Sequence, residues 1–406
     1  MVAVRKAAST AQGTTTTQVA IIGAGPAGLM LSHLLHRAGI ASIVLESRSR
    51  AYIEGRVRAG VLEQGTADLL QEAGVGERMR REGLVHHGIE LRFDGQAHRI
   101  DLTGLTGGRS ITVYGQQEVV KDLVQARLDA GGDIRFECGE VAVHGFDGRA
   151  PRVTAHGNGQ ALDIACDFIA GCDGFHGVSR PSIPREALHV HERAYPFAWL
   201  GILAAAAPSR EELVYAHHER GFALFSMRSR SLTRLYLQVP PDEDVAAWPD
   251  DRIWDELDAR FEGGDGWRPA RGEVLEKSVT GMRSFVAEPM RHGRLFLAGD
   301  AAHIVPPTGA KGLNLAMADV RVLAAAFAEH YRGGGEAALD AYSATCLKRV
   351  WRAEHFSWWM TAMLHRFPEG DSFHRRLQHA QLEYVVSSRA AATSLAENYV
   401  GLPGVR

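Results

Sequence analysis

Gln18-Val19-Ala20-Ile21-Ile22-Gly23-Ala24-Gly25-Pro26-Ala27-Gly28-Leu29 decides the fold of this chain. A short apolar run of strand type meets a G-x-G-x-x-G turn. A helical pattern follows, with Leu31, Leu34, Leu35 and Ala38 on one side. A second strand, Ser42-Ile43-Val44-Leu45, then ends on Glu46. Each glycine has a mechanical task. Gly23 allows a tight turn, Gly25 lets backbone approach a pyrophosphate, and Gly28 lets helix pack closely on strand. Free N–H groups and the positive end of the helix then hold phosphates. Glu46, about twenty residues on, sits where a carboxylate binds both hydroxyls of an adenosine ribose. The stretch reads as a dinucleotide site, for FAD or NAD(P).

Composition places that site in a water-soluble enzyme. The 406 residues suggest two or three domains. With 45% hydrophobic and 23% charged residues, the chain can bury a sizeable core. A net charge of −3 gives no general attraction to nucleic acid or to a membrane surface. There is no apolar run of about eighteen residues that would span a bilayer. Residues 1–17 are small and polar without an apolar signal core, and read as a flexible extension. Cys138, Cys166, Cys172 and Cys346 form no C-x-x-C pair. They read as reduced thiols of a cytoplasmic protein, which argues against disulfide exchange with a flavin. No metal site is expected.

Two later segments repeat the theme of a strand running into a polar loop. Asp167-Phe168-Ile169-Ala170-Gly171-Cys172-Asp173-Gly174 is one. The other runs from Arg294 through Leu297 to Asp300 and His303, then through Pro306-Pro307-Thr308-Gly309-Ala310-Lys311-Gly312-Leu313-Asn314 into a helical pattern ending near Ala328. Asp300 would accept hydrogen bonds from ribityl hydroxyls. The N–H groups near Leu313 and Asn314 would stabilise negative charge on a reduced isoalloxazine. That chemistry points to FAD as the tightly held cofactor. With no second G-x-G-x-x-G, NADPH or NADH must dock transiently as reductant.

Between these segments the texture changes to strands: Glu212–His218, Phe222–Arg228 and Arg234–Val239. Alternation puts Phe222, Leu224, Ser226 and Arg228 on one face. Arg234, Tyr236 and Gln238 share a face of the next strand. An apolar face ending in serine and arginine can cradle an aromatic ring and clamp an anion. The same pattern also suits an amphipathic sheet with a solvated Arg228.

Longer strings carry a resemblance. They are Arg58-Ala59-Gly60-Val61-Leu62-Glu63-Gln64-Gly65, Ile169 through His176, Leu295 through Leu315, His355-Phe356-Ser357-Trp358-Trp359-Met360, and Ala396-Glu397-Asn398-Tyr399-Val400-Gly401-Leu402-Pro403. With them, the chain from about Gln18 to Pro403 resembles the FAD-dependent aromatic hydroxylases, most closely those acting on 4-hydroxybenzoate. The resemblance implies an α/β fold with a Rossmann-like FAD-binding domain (18–189), a β-sheet substrate domain (190–304) and a helical C-terminal region with the flavin-contacting loop (305–406). It implies a homodimer that hydroxylates 4-hydroxybenzoate to 3,4-dihydroxybenzoate using O2.

Residue by residue, the resemblance adds Arg56, Val57, Arg58, Ala59, Gly60, Val61 and Gln116 as flavin contacts. These join Gly23, Gly25, Ala27, Gly28, Glu46, Asp300, Leu313 and Asn314. Substrate contacts fall on Tyr215, Ser226, Arg228, Tyr236 and Pro307. A phenol-activating relay falls on Tyr215, Tyr399 and His86, the histidine expected to titrate near neutrality. Nicotinamide docking falls on Arg48, Tyr52, Arg58, His176 and Arg283.

Three positions depart from the family's pattern. Ser47 follows the ribose-binding acid where arginine is usual, with Arg48 and Arg50 beyond it, so strict NADPH preference is not expected. His217 replaces an asparagine, and Ala27 a serine beside the pyrophosphate. A flavin halogenase would need a W-x-W-x-I-P stretch, which the seven tryptophans do not form. A non-catalytic flavin redox sensor would keep the dinucleotide motif without needing Tyr215, Arg228 and Tyr399 together.

Overall fold

The computed structural model describes residues 14–58, 60–157 and 159–401. Its first layer is an eight-stranded sheet centred on the strand Thr15–Ile22. That strand runs parallel to Gln160–Gly171 on one side and Ser42–Leu45 on the other. Leu295–Leu297 and Asp133–Arg135 extend the parallel order outward. Val19 through Ile22 are buried, as a strand covered on both faces requires. Thr15, Thr16 and Thr17 pair with Ile164, Ala165 and Cys166. The expected extension through residue 17 is corrected at its end, where strand starts at Thr15 because its threonines suit a pleated edge, and residues 1–13 of it lie outside the described residues.

The glycine turn behaves as its spacing demands. Gly23 has φ +102°, and a Cβ there would lie 2.3 Å from the carbonyl oxygen of Cys172. A Cβ on Gly28 would lie 2.0 Å from the carbonyl oxygen of Gly23. Helix Pro26–Arg37 starts at once, with Pro26 in its first turn.

A second eight-stranded sheet carries most of the expected substrate contacts. Its spine is the antiparallel pair His189–Ala205 and Glu273–Glu288. Next to it come Thr233–Val239, Ala223–Met227 and Leu213–Ala216. Two faces separate by alternation. Trp199, Tyr215, Phe222 and Leu224 pack with Phe356 and Tyr399 in one cluster. Val214, Ala223, Phe225 and Met227 pack with Trp248, Trp254 and Phe261 in another. Each fully buried side chain of this size contributes about 1.5–3 kcal/mol.

The linear division into domains is interleaved in space. Gly88–Phe93 and Gln96–Asp101 extend the second sheet beyond Leu213–Ala216. Leu295–Leu297 belongs instead to the flavin sheet. A small sheet of Val61–Glu63, Ile111–Val113 and Leu84–His86 lies apart from both large ones. Pairing partners here come from distant segments, which alternation along one strand cannot reveal.

Helices complete the molecule. Gly312–Glu329 packs on Pro26–Arg37. Ala337–Leu364 is followed by Ser372–Ser387 and Arg389–Val400. Asp371 caps Ser372–Ser387 by accepting from the His374 N–H at 2.8 Å. The last helix delivers Tyr399, 1% exposed, to the pocket face of the second sheet.

Candidate active site

The dinucleotide groove is built from two helix starts and one oriented carboxylate. Gly25 caps its helix without a side-chain bond, and a Cβ there would meet nothing within 4 Å. Gly312, which opens the later helix, is equally clear. Both starts therefore present N–H groups to open space. Glu46 ends its strand with Oε2 accepting from the Ala24 N–H and Oε1 from the Arg48 N–H, each at 2.8 Å. Those bonds aim the carboxylate and leave lone pairs for two ribose hydroxyls. Ala27 is buried in the first turn beside it.

The remaining flavin candidates surround the same groove. Gly60 is fixed where a Cβ would fall 2.0 Å from the Tyr114 carbonyl oxygen. Val57 and Gln116 are half-buried, and Arg56 and Arg58 are exposed. Asp300 is solvent-accessible along the groove, yet neighbouring protein desolvates its carboxyl and raises its pKa, with His303 and Arg58 countering. Asn314 uses its side chain internally, accepting from the Glu63 N–H and donating to the carbonyls of Val61 and Ala310. Its backbone, with that of half-buried Leu313, is what the first helical turn offers a ligand. Ala59 lies outside the described residues. The open cradles at Gly25 and Gly312 and the donor set around them fit FAD.

The docking candidates form separate groups. The Arg48 guanidinium lies 5.3 Å above the exposed Tyr52 ring, with Arg56 at 5.8 Å. His176 meets Phe175 edge-on at 5.0 Å, and Arg283 lies 4.7 Å from the same ring. Arg58 lies near Arg56 and Tyr52 of the first group as well as near Asp300. Arg50 is occupied by Glu54 at 2.6 Å.

The pocket holds a buried cation without an acid. Arg228 is 8% exposed and makes no ion pair among the described residues. Its Nη1 donates to Ser226 Oγ at 3.1 Å and to the Met227 carbonyl at 2.8 Å; Nη2 donates to Tyr236 Oη at 2.9 Å. Its Nε has no partner. Burial lowers its pKa and no carboxylate counters this. A desolvated guanidinium in this state is completed by an anion from outside.

Tyr215 and Tyr399 meet hydroxyl to hydroxyl, and Tyr215 also donates to the Thr308 carbonyl at 3.4 Å. Burial, its largest cause, pushes both phenols upward. Pro307, exposed, opens the short turn that carries Thr308. His86 differs from the expectation. It is 1% exposed, neither ring nitrogen has a partner, and burial lowers its pKa to about 4. Desolvation outweighs the opposing pull of Glu212, so the ring is neutral rather than poised near pH 7. It makes no direct bond to either tyrosine.

Sequence reasoning passed over a buried ionic tie. Lys311, 3% exposed, donates to Glu63 Oε1 at 2.7 Å, to the Tyr399 carbonyl at 3.0 Å and to the Asn398 carbonyl. Arg349 donates to Glu63 Oε2 at 2.7 Å. The tie binds the flavin-side loop to the helix carrying Tyr399. A lone lysine inside the Pro306–Leu315 loop is its sequence signal.

Comparison with known proteins agrees with this geometry. The family described as FAD binding domain matches residues 16–357. The p-hydroxybenzoate hydroxylase of Acinetobacter baylyi (strain ATCC 33305 / BD413 / ADP1) is 52% identical over 390 residues, 96% of each chain. A 3-(3-hydroxy-phenyl)propionate/3-hydroxycinnamic acid hydroxylase of Mycobacterium sp. (strain JLS) is 27% identical, covering 82% of this chain and 58% of its own. The crystal structure of a p-nitrophenol 4-monooxygenase from Pseudomonas putida DLL-E4 has the same fold, with TM-score 0.82 at 20% identity over 96% of this chain and all of that one. Groove and pocket together define a flavoprotein oxygenase. The chain belongs to the FAD binding domain family, among its FAD-dependent aromatic hydroxylases.

Proposed function

We propose that the protein hydroxylates 4-hydroxybenzoate to 3,4-dihydroxybenzoate, with NAD(P)H as reductant and O2 as oxidant. One observation carries the substrate: the buried Arg228 fork lacks an acid, while a tyrosine pair waits in the same apolar cluster. A benzoate carboxylate completes Arg228, with Ser226 and Tyr236 beside it. The 4-hydroxyl at the far end of the ring then reaches Tyr215, with Pro307 at the loop edge.

Bound FAD, once reduced, supplies activated oxygen. The protein's part is to make the ring electron-rich. Tyr215 accepts the phenolic proton and Tyr399 passes it on. Both phenols resist ionisation, so the pair conducts a proton without storing charge. His86 is assigned as the outer member of the relay; because neither of its buried ring nitrogens bonds a tyrosine, an intervening group must carry the proton to it. Closed apolar surroundings exclude competing water.

Arg48, Tyr52, Arg58, His176 and Arg283 form the surface on which the nicotinamide cofactor docks. Domains at 18–189, 190–304 and 305–406, with the interleaving above, are the units we assign. No helix among the described residues is long and apolar enough to cross a membrane. We assign the protein to the cytoplasm, as a homodimer. The dimer is supported by Phe373, Leu377 and Tyr384, 54–69% exposed and spaced four and seven residues apart on helix Ser372–Ser387.

The test is FAD reconstitution followed by NAD(P)H oxidation with and without 4-hydroxybenzoate. A yellow protein whose oxidation is stimulated, with 3,4-dihydroxybenzoate as product, is expected. No stimulation would favour a flavin sensor instead.

A further inference from the structure

The residue after helix Ala337–Leu364 takes no part in the steps above, yet it reaches the pocket wall. Trp199, 3% exposed, stacks on Phe222 at 5.2 Å and 14°, and its ring lies 4.8 Å from Tyr236, the partner of Arg228. Its indole N–H can only donate, and it donates to Nε2 of His365 at 2.7 Å. A nitrogen that accepts carries no proton. The proton therefore sits on Nδ1, which donates to the Thr361 carbonyl at 3.1 Å. His365 is fully buried. Phe197 stacks on it at 4.7 Å and 7°, and Phe222 at 4.2 Å and 26°. Ring plane, tautomer and both hydrogen bonds are thus determined. Burial keeps the imidazole neutral, with a pKa lowered to about 3.

The same helical turn has a second arm. Thr361 Oγ1 lies 2.9 Å from Thr308 Oγ1 and 2.7 Å from the Ser357 carbonyl. The Thr308 carbonyl in turn accepts from Tyr215. One helix end therefore braces the wall against which an aromatic ring lies and the loop that holds the proton acceptor.

We propose that His365 is a positioning residue for the substrate: by accepting from Trp199 it fixes the indole against the bound ring, and through Thr361 and Thr308 it keeps that wall in register with Tyr215. The proposal rests on the 4-hydroxybenzoate reading above. His365 is expected to set affinity and coupling rather than flavin content or the pH profile.

His365→Phe keeps the aromatic stack and removes the acceptor, leaving a buried indole N–H orphaned. His365→Gln keeps an acceptor and a donor. The Phe variant should lose about tenfold in 4-hydroxybenzoate affinity, the size expected of one unsatisfied buried donor, and form less product per NAD(P)H. The Gln variant should recover most of both. In a Trp199→Phe background, His365→Phe should cost little more, because the donor is already gone. The indole N–H vibrational marker, read without substrate, should shift in His365→Phe and return in His365→Gln. If wild type binds no 4-hydroxybenzoate, the functional reading fails, and this marker alone decides the Trp199–His365 arrangement. Equal losses in the Phe and Gln variants, additive losses with Trp199→Phe, or an unshifted marker would overturn the proposal. Should His365→Phe not fold, His365→Gln and Trp199→Phe still decide it: the first must be near wild type, and the second must weaken binding.

Discussion

The hydroxyls of Tyr215 and Tyr399 touch although 184 residues separate them in the chain. One is delivered by strand Leu213–Ala216, the other by the last described helix. Lys311 holds the Tyr399 carbonyl from the flavin-side loop. Three distant segments must therefore assemble before a proton path exists, and each contributes one fixed group.

Tyr399→Phe tests the path. The ring and its packing stay, so 4-hydroxybenzoate affinity should change less than about threefold, but the second hydroxyl is gone. Hydroxylation should fall by about 10²-fold, the scale of one proton-transfer group, while NAD(P)H oxidation continues. Product per NAD(P)H consumed is the measurement. Wild-type coupling would assign Tyr399 to packing.

Arg228→Ala should weaken 4-hydroxybenzoate binding by about 3–5 kcal/mol, since a buried carboxylate loses its two-pronged cation. Arg228→Lys should recover part, because an ammonium restores charge without the two-pronged geometry. Titration of flavin absorbance reads both. Unchanged affinity in the alanine variant would remove Arg228 as the clamp.

Local features were legible in the chain, and long-range ones were not. The turn at Gly23–Gly28 and the strand Ser42–Leu45 follow from neighbouring residues, so spacing alone locates them. Alternation made Arg228 legible as an anion clamp but could not choose between that and a solvated strand end, and Tyr399 entered only through family resemblance. Lys311 and Glu63 lie 248 positions apart, and Trp199 and His365 lie 166 apart. Nothing local marks such pairs. His86 was legible as a candidate but not in its protonation, which burial determines.

Glu354 gives stability a pH dependence. It is 5% exposed, Oε1 has no partner, and burial pushes its carboxyl up to about 7, with Ser284 and His303 countering. The folded state thus holds a proton that the unfolded chain releases at ordinary carboxyl pKa. This contribution is fully present below about pH 4.5 and is lost as pH rises through about 7, a change of about 3 kcal/mol at most. Glu354→Gln should raise Tm at pH 8 and leave it nearly unchanged at pH 5. Equal shifts at both pH values would contradict the assignment.

Ser47 bears on the reductant. Arg48 lies over Tyr52 and Arg50 is held by Glu54, so neither is free to fix a 2′-phosphate from the first position. Wild type should accept NADPH with modest discrimination against NADH. Ser47→Arg should raise the NADPH to NADH ratio of kcat/KM, approaching the about 1.5–3 kcal/mol of one charge-assisted hydrogen bond. Rejection of NADH by several orders of magnitude in wild type would contradict this.

The central claim is that reducing power and O2 are spent on the ring of 4-hydroxybenzoate. It is tested most directly by the yield and mass of product formed by holoenzyme from 4-hydroxybenzoate, NAD(P)H and isotopically labelled O2. The account predicts close to one 3,4-dihydroxybenzoate per NAD(P)H, carrying one labelled oxygen. NAD(P)H consumed with only hydrogen peroxide formed, or an unlabelled product, would contradict it.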